Sequence, residues 1–246
     1  MFDAKEQKEK VIQWIRDWFD KNGKDCNAVI GISGGKDSTV AAALCVEALG
    51  KDRVIGLMLP DGEQKDINDS YAVCSLLGIK NHVINIRQII RSVQLSFAFS
   101  DINNISDQAK INLPPRIRMA VLYYLSQSVN GRVVNTCNLS EDYVGYATKY
   151  GDAAGDFSPL KSFTTEEVIA IGKELGIPEE LLLKAPSDGL CGKTDEDNLG
   201  FTYAVLNKYI RTGEIENKAA KKKIDRLHKI NTFKEKLIER YEMQGE

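Results

Sequence analysis

Apolar positions in this chain fall into two alternating kinds of run. Short β-branched stretches predict buried strands at Ala28-Val29-Ile30-Gly31-Ile32, Arg53 to Leu59, Asn81 to Ile86 and Arg132 to Cys137. Longer stretches with helical spacing stand before and between them. Glu6 to Phe19 lines up Val11, Ile12, Trp14, Ile15, Trp18 and Phe19 on one face, and Asn22-Gly23 ends that helix. Val40 to Leu44 opens a second helix, closed by Gly50, and Gln64 to Leu77 forms a third, stopped by Gly78. Ile89 to Asn112 mixes Ser, Asn and Asp with apolar residues and reads as an irregular lid or partner-facing segment. Pro114-Pro115 then starts a helix over Arg116 to Val129.

Beyond the fourth strand, Asn138 to Asp156 is a long loop rich in Gly, Asp and Tyr. Thr164-Thr165-Glu166-Glu167 starts a helix that ends at Gly176-Ile177-Pro178. Ala185 to Lys193 is a second loop, and Asp195 to Tyr209 and Glu214 to Tyr241 are helical. Strands alternating with helices predict an α/β fold, a parallel sheet flanked by helices, with a helical C-terminal segment. No linker or repeat divides the chain, so residues 1–246 read as one domain. Ligands of such sheets bind beyond the carboxyl ends of the strands, where Ser33, Pro60 and Ile86 fall.

The turn after the first strand carries the chemistry. Gly31-Ile32-Ser33-Gly34-Gly35-Lys36-Asp37-Ser38 joins a strand to a helix start through residues that let backbone N–H groups approach a ligand. Unpaired amides and the helix dipole then point at one place, and the expected ligand is phosphate. This is not a Walker A loop: the position five before Gly35 is Ile30, and Lys36 is followed by Asp37 rather than Ser or Thr. A carboxylate beside phosphates calls for a bridging cation such as Mg2+.

Composition narrows the function classes. With 43% hydrophobic and 28% charged residues, the 246-residue chain has the make-up of a soluble globular protein. A net charge of -2 gives no general attraction to nucleic acid or anionic membranes, and Lys221-Lys222-Lys223 reads as a solvated helix face. No apolar run reaches the roughly 20 residues that span a bilayer, and no signal-peptide core opens the chain, so the cytoplasm is expected. The five cysteines form no C-x-x-C pair, which points to reduced thiols. His82 and His228 are the only histidines and read as structural, which argues against Ser-His-Asp chemistry.

The Ser-Gly-Gly-x-Asp-Ser run resembles the pyrophosphate loop of N-type ATP pyrophosphatases, which split ATP into AMP and pyrophosphate. Asn135-Thr136-Cys137-Asn138-Leu139-Ser140-Glu141 ends the fourth strand on the same sheet edge. Thr148-Lys149-Tyr150-Gly151-Asp152, Ala185-Pro186-Ser187-Asp188-Gly189-Leu190 and Thr194-Asp195-Glu196-Asp197-Asn198-Leu199-Gly200 follow in order. Together these resemble the NAD synthetase family. The resemblance implies a Rossmann-like sheet of the adenine nucleotide alpha-hydrolase kind. It also implies amidation of deamido-NAD with ammonia through an adenylated carboxylate, giving NAD, AMP and pyrophosphate.

Carried over residue by residue, the resemblance gives ATP the loop Gly31, Ile32, Ser33, Gly34, Gly35, Lys36, Asp37 and Ser38, together with Thr136, Thr165 and Ser187. Asp37 and Glu141 would be Mg2+ ligands, and Asp37, Glu141 and Lys149 the catalytic core. Arg116, Lys149, Asp156, Phe233 and Lys234 would face deamido-NAD. Several positions depart from the family pattern. Thr165 stands opposite a loop lysine near the ATP phosphates, and Lys161 is placed to substitute. Phe233 replaces a histidine, Ser187 a threonine, and Pro114-Pro115 a Lys-Ala pair. The site carboxylates would also receive ammonium and take its proton; which of them does so stays open. No glutaminase domain is evident, so free ammonia, or ammonia from a separate partner, is the expected nitrogen source, and a homodimer is expected, with Trp14, Trp18 and the 89–99 region as interface elements. Two other readings remain. An ATP pyrophosphatase acting on RNA is disfavoured by the near-neutral charge and unpaired cysteines. A non-catalytic nucleotide-binding module is disfavoured by the presence of both carboxylates.

Overall fold

The computed structural model describes residues 2–102, 104–184, 195–234, 236, 238 and 241. Helix α1 (Ala4–Asn22) begins at Asp3, whose carboxylate accepts from the Glu6 amide at 2.9 Å, and ends at Gly23. The chain continues through β1 (Asn27–Gly31), α2 (Lys36–Leu49), β2 (Val54–Met58), α3 (Ile67–Leu77), β3 (Lys80–Val83), α4 (Arg87–Ala98), α5 (Asp107–Ser128) and β4 (Gly131–Val133). After these come α6 (Leu139–Val144), α7 (Thr165–Glu174), α8 (Glu179–Leu182), α9 (Asp195–Leu199), α10 (Tyr203–Thr212) and α11 (Lys218–Asn231).

The sheet has the order β3-β2-β1-β4, with every neighbour parallel. Both faces are covered, which explains why β1 and β2 read as continuous apolar runs rather than alternating ones. Ala28 and Ile30 pack into the larger core with α1, α2 and α7. Val29 points the other way, joining Ile55, Leu57, Val133 and Leu122 of α5. A separate cluster, Val144, Phe201, Tyr203, Leu206 and Ile224, binds α6 to α10 and α11. Phe157 pins α1 to the sheet: it bridges in parallel to Val134, stacks on Trp18 at 4.7 Å between centroids and meets Phe19 edge-on at 5.2 Å.

Several expectations need correction. The segment from Asn138 to Asp156, read as a loop, begins with the short helix α6, and the fourth strand ends at Val133 rather than Cys137. Pro114 and Pro115 lie inside α5 and do not start it. The start signal stands upstream, at Ser106, whose hydroxyl accepts from the Ala109 amide at 3.2 Å. Neither proline has an N–H to give to the carbonyls of Lys110 and Ile111, and the packing of Leu122 and Met119 on the sheet outweighs that loss. The stretch from 89 to 112 is mostly helical, and within it Ser92 and Ser96 place their hydroxyls on the carbonyls of Gln88 and Ser92, where they no longer compete for backbone amides. The third strand stops at Val83, although Ile84 and Ile86 still donate to the carbonyls of Met58 and Pro60 at 2.9 Å each. The C-terminal helices are shorter than their patterns: Gly200, at φ +72, separates α9 from α10, and α11 passes into a 3-10 turn at Thr232–Lys234. The loop from Ala185 to Lys193, with Ser187, lies outside the described residues. Among the described residues no helix is long and apolar enough to cross a membrane.

Because Phe157 touches both α1 tryptophans and the sheet bridge, Phe157→Ala is expected to lower stability by about 3–5 kcal/mol. Urea unfolding of the variant beside the parent protein checks this.

Candidate functional site

In the order β3-β2-β1-β4 the chain leaves β1 for one side of the sheet and later returns to its other side at β4. The crevice at this reversal is where α/β sheets bind ligands, and two segments face each other across it. One is the loop from Ile32 to Gly35. Gly34 has φ +80, and a Cβ there would stand 3.0 Å from the Ser70 amide nitrogen, so a side chain would be both strained and crowded. The loop closes on its own hydroxyls. Ser33 Oγ lies 3.0 Å from Ser38 Oγ and accepts from the Gly35 amide at 3.2 Å, while Ser38 and Thr39 donate to the Gly35 carbonyl. Gly35 caps α2 without a side chain, so the first amides of that helix have no side-chain acceptor.

The other segment follows β4 and begins α6. Asn138 is fully buried, and its Oδ1 accepts from the amides of Ser140 at 3.0 Å and Glu141 at 3.1 Å. Glu141 reaches back to the Asn138 amide at 3.4 Å, completing a capping box. With its Nδ2, Asn138 donates to Asp37 Oδ1 at 3.0 Å. One side chain thus ties the glycine loop to the turn that carries Glu141. Asp37 Oδ2 is held by the Lys36 ammonium at 2.8 Å, and Lys36 is itself buried.

The electrostatics follow from this crowding. Burial, and then the neighbouring Asp37 charge, hold the Glu141 carboxyl well above the usual carboxylate range. Burial works against the Lys36 ammonium, but Asp37 first, then Glu141 and Asp195, outweigh it and leave its pKa raised. Tyr203 is also raised, by burial and then by the charges of Glu141, Asp195 and Asp37, so it stays neutral and donates to Asp195 Oδ2 at 3.3 Å. Among the described residues no group of three or more His, Cys, Asp or Glu is arranged to hold a metal ion by protein ligands alone.

The remaining expected residues divide. Lys149 donates to the Phe233 carbonyl at 3.1 Å and lies 5.0 Å from the Phe233 ring centroid. Arg116 donates to the Lys149 carbonyl at 3.3 Å, and Lys234 holds the carbonyls of Gly145 and Ala147. Arg116, Lys149, Phe233 and Lys234 therefore form one neighbourhood. Asp156 is turned toward the sheet, accepting from the Val133 amide at 2.7 Å and the Tyr123 hydroxyl at 3.2 Å. Thr136 is half-buried on the segment between β4 and α6.

Thr165 is buried, and its hydroxyl exchanges hydrogen bonds with Asn207 while its amide donates to Ser140 Oγ at 3.1 Å. Lys161 pairs with Asp142 at 3.4 Å. His228 stacks on Tyr143 at 4.1 Å and meets its carbonyl, the structural place expected of it. The thiols of Cys26, Cys45, Cys74 and Cys137 are free and buried, and burial pushes Cys45 up to about 12. Asn138, Asp195 and Tyr203 were not singled out as site residues. For Asn138 the signal was present: Asn-x-x-Glu before an apolar turn is a capping-box pattern.

A family model described as NAD synthase matches residues 7–244. The chain belongs to the NAD synthase family. It is 38% identical over 203 residues to the NH(3)-dependent NAD(+) synthetase of Pyrococcus furiosus, covering 82% of this chain and 77% of that one. Among solved structures, NMN synthetase from Francisella tularensis superposes with a TM-score of 0.89 at 33% identity, covering 99% of this chain and 100% of that one. The NH3-dependent NAD synthetase of Campylobacter jejuni gives 0.79 at 30% identity over 98% and 100%.

Asn138→Ala removes a helix cap and a buried donor, and is expected to lower stability by about 1–2 kcal/mol. Asn138→Asp should recover only part of that loss, because it restores the cap but sets a carboxylate against Asp37. Urea midpoints of both variants check the order.

Proposed function

We propose that this protein amidates deamido-NAD with ammonia, consuming ATP and releasing NAD, AMP and pyrophosphate, the last step of NAD biosynthesis. The observation that carries the site assignment is the Asp37–Asn138–Glu141 joint, which sets two carboxylates beside an anion-binding loop at the sheet's reversal point. Such a pair is destabilised alone, as the raised Glu141 carboxyl indicates, and it suits a hard divalent cation that takes one or two carboxylates and completes its shell with phosphate oxygens. Asp37 and Glu141 would hold Mg2+, and the ion would supply charge neutralisation for pyrophosphate departure.

The amides and hydroxyls of Gly31 to Ser38 hold the triphosphate in this reading, and Thr136 is assigned to ATP from the segment that follows β4. Arg116, Lys149, Phe233 and Lys234 take the acceptor side, and Asp156 supports them by fixing β4. A carboxylate is a poor electrophile. Adenylation gives it a good leaving group, and ammonia then displaces AMP. No side-chain nucleophile is needed, which agrees with the buried thiols and the structural placing of His228. Thr165 is assigned to supporting α6 through Ser140 and Asn207.

Purified protein with ATP, Mg2+, deamido-NAD and ammonium is expected to form AMP and NAD in equal amounts, and none with glutamine as the nitrogen source. Asp37→Ala and Glu141→Ala are each expected to lower turnover on the order of 100-fold or more. No AMP under either nitrogen source would overturn the reading. A second acceptor is favoured by the similarity to an NMN synthetase over nearly the whole chain, combined with Phe233 on the acceptor side. The same assay with nicotinate mononucleotide decides between them by the ratio of kcat/KM values.

The protein is read as cytoplasmic and as a homodimer joined through α4. Ile89, Leu95, Phe97 and Phe99 expose apolar surface there, with Phe99 at 88%. Sedimentation is expected to give twice the chain mass, and Leu95→Glu with Phe99→Glu to give the monomer.

A further inference from the structure

Lys36 opens α2 directly after the glycine loop, yet it is only 8% exposed. Burying an ammonium is costly unless a partner offsets it, and the partner here is Asp37 Oδ2 at 2.8 Å. The other Asp37 oxygen is taken by Asn138 Nδ2. Asp37 Oδ1 already accepts from Asn138 and Oδ2 from Lys36, so a cation on either oxygen stands close to the ammonium charge. Ammonium and metal ion therefore compete for one carboxylate.

The ammonium also has somewhere to go. It sits on a flexible four-carbon stem at the foot of the loop, whose amides and hydroxyls form the phosphate cradle. The two side chains that the sequence offers from the 161–165 segment are engaged: Lys161 with Asp142, and Thr165 in a buried network. We propose that Lys36 is a tethered counter-cation, holding the carboxylate corner before nucleotide arrives and moving onto the triphosphate when a divalent cation takes the Asp37 carboxylate. The proposal rests on the placement of nucleotide and metal given above and adds a residue-specific exchange to it.

The exchange makes opposite demands on two affinities, which a plain structural ion pair does not. Lys36→Met, close in length and uncharged, is expected to bind Mn2+ about tenfold more tightly than the parent protein without nucleotide, by electron paramagnetic resonance of free Mn2+. It is also expected to bind the ATP analogue AMPPNP in the presence of Mg2+ about tenfold more weakly, by calorimetry. Lys36→Arg keeps the charge and should hold both values near those of the parent. Lys161→Met serves as the control for a general charge effect and should shift Mn2+ affinity by about threefold or less. Far-ultraviolet circular dichroism confirms that the variants are folded, and if Lys36→Met does not fold, Lys36→Gln takes its place.

Unchanged Mn2+ affinity in the neutral variant overturns the proposal, as does tighter Mn2+ binding with unchanged AMPPNP affinity, or an equal shift in Lys161→Met. Neither binding measurement needs turnover. Both expected shifts without any NAD formed would leave the exchange standing and remove the synthetase reading, whereas normal NAD formation with neither shift would do the reverse.

Discussion

Asn138 is the point at which two distant stretches of chain become one site. Its side chain has one acceptor and one donor group, and both are used. The acceptor caps α6 and fixes the turn bearing Glu141, while the donor reaches Asp37 at the start of α2. The bond is charge-assisted and buried on the Asn138 side, where a lost partner would leave an unsatisfied group. The parallel pairing of β1 with β4 makes the contact possible, since it delivers both loops to the same end of the sheet. The core around β1 can therefore be viewed as the platform that sets this single distance.

A six-residue helix such as α6 is too short to stand by itself, and the surrounding structure compensates in two ways. On one side Val144 packs with Leu206 and Ile224. On the other, Ser140, Thr165 and Asn207 form a closed set of hydrogen bonds joining α6, the start of α7 and α10. All three side chains are buried, so each bond lies in a low dielectric where an unmade one is costly. Such a network specifies one arrangement of three helices. It keeps Glu141 from drifting away from Asp37 despite the repulsion between the carboxylates, and this gives Thr165 a physical role independent of any phosphate contact.

The β1–loop–α2 unit was legible because its signals are local: a β-branched run, glycines where the backbone must turn at positive φ, and an alanine-rich helix. The same holds for α1 with its cap at Gly23, and for α7, where Thr164 and Glu167 form the capping box that the sequence spells out. The errors arose where a local signal was weaker than a distant one. Pro114-Pro115 is a helix-start pattern, but Ser106 starts α5 earlier and the sheet face holds the helix through the prolines. Serines in α4 suggested a loop, but their hydroxyls are placed on carbonyls one turn back. Within the site, the loop residues and Glu141 were readable from motif spacing. The burial of Lys36 and the bond from Asn138 to Asp37 depend on elements far apart in sequence, and no local pattern carries them.

The neighbourhood proposed for the acceptor is built on different terms from the corner proposed for the nucleotide. The nucleotide corner rests on β1, β4 and buried polar bonds, whereas Lys149 is held to the Phe233 carbonyl and ring at the end of α11, with Arg116 reaching the Lys149 carbonyl from α5. These contacts join a loop, a helix end and a 3-10 turn at the periphery, where Phe233 is 56% exposed and a single side chain can be exchanged at little cost to the core. In the proposed reading, activation of a nicotinate carboxylate would need only the buried corner and the position of the reactive carboxyl, and recognition of what lies beyond the ribotide would fall to the periphery. A chain with an intact Asp37–Asn138–Glu141 joint and a substituted Phe233 can therefore keep its chemistry while its preference among acceptors is set separately, and the division of labour lies in which contacts are buried and which are not.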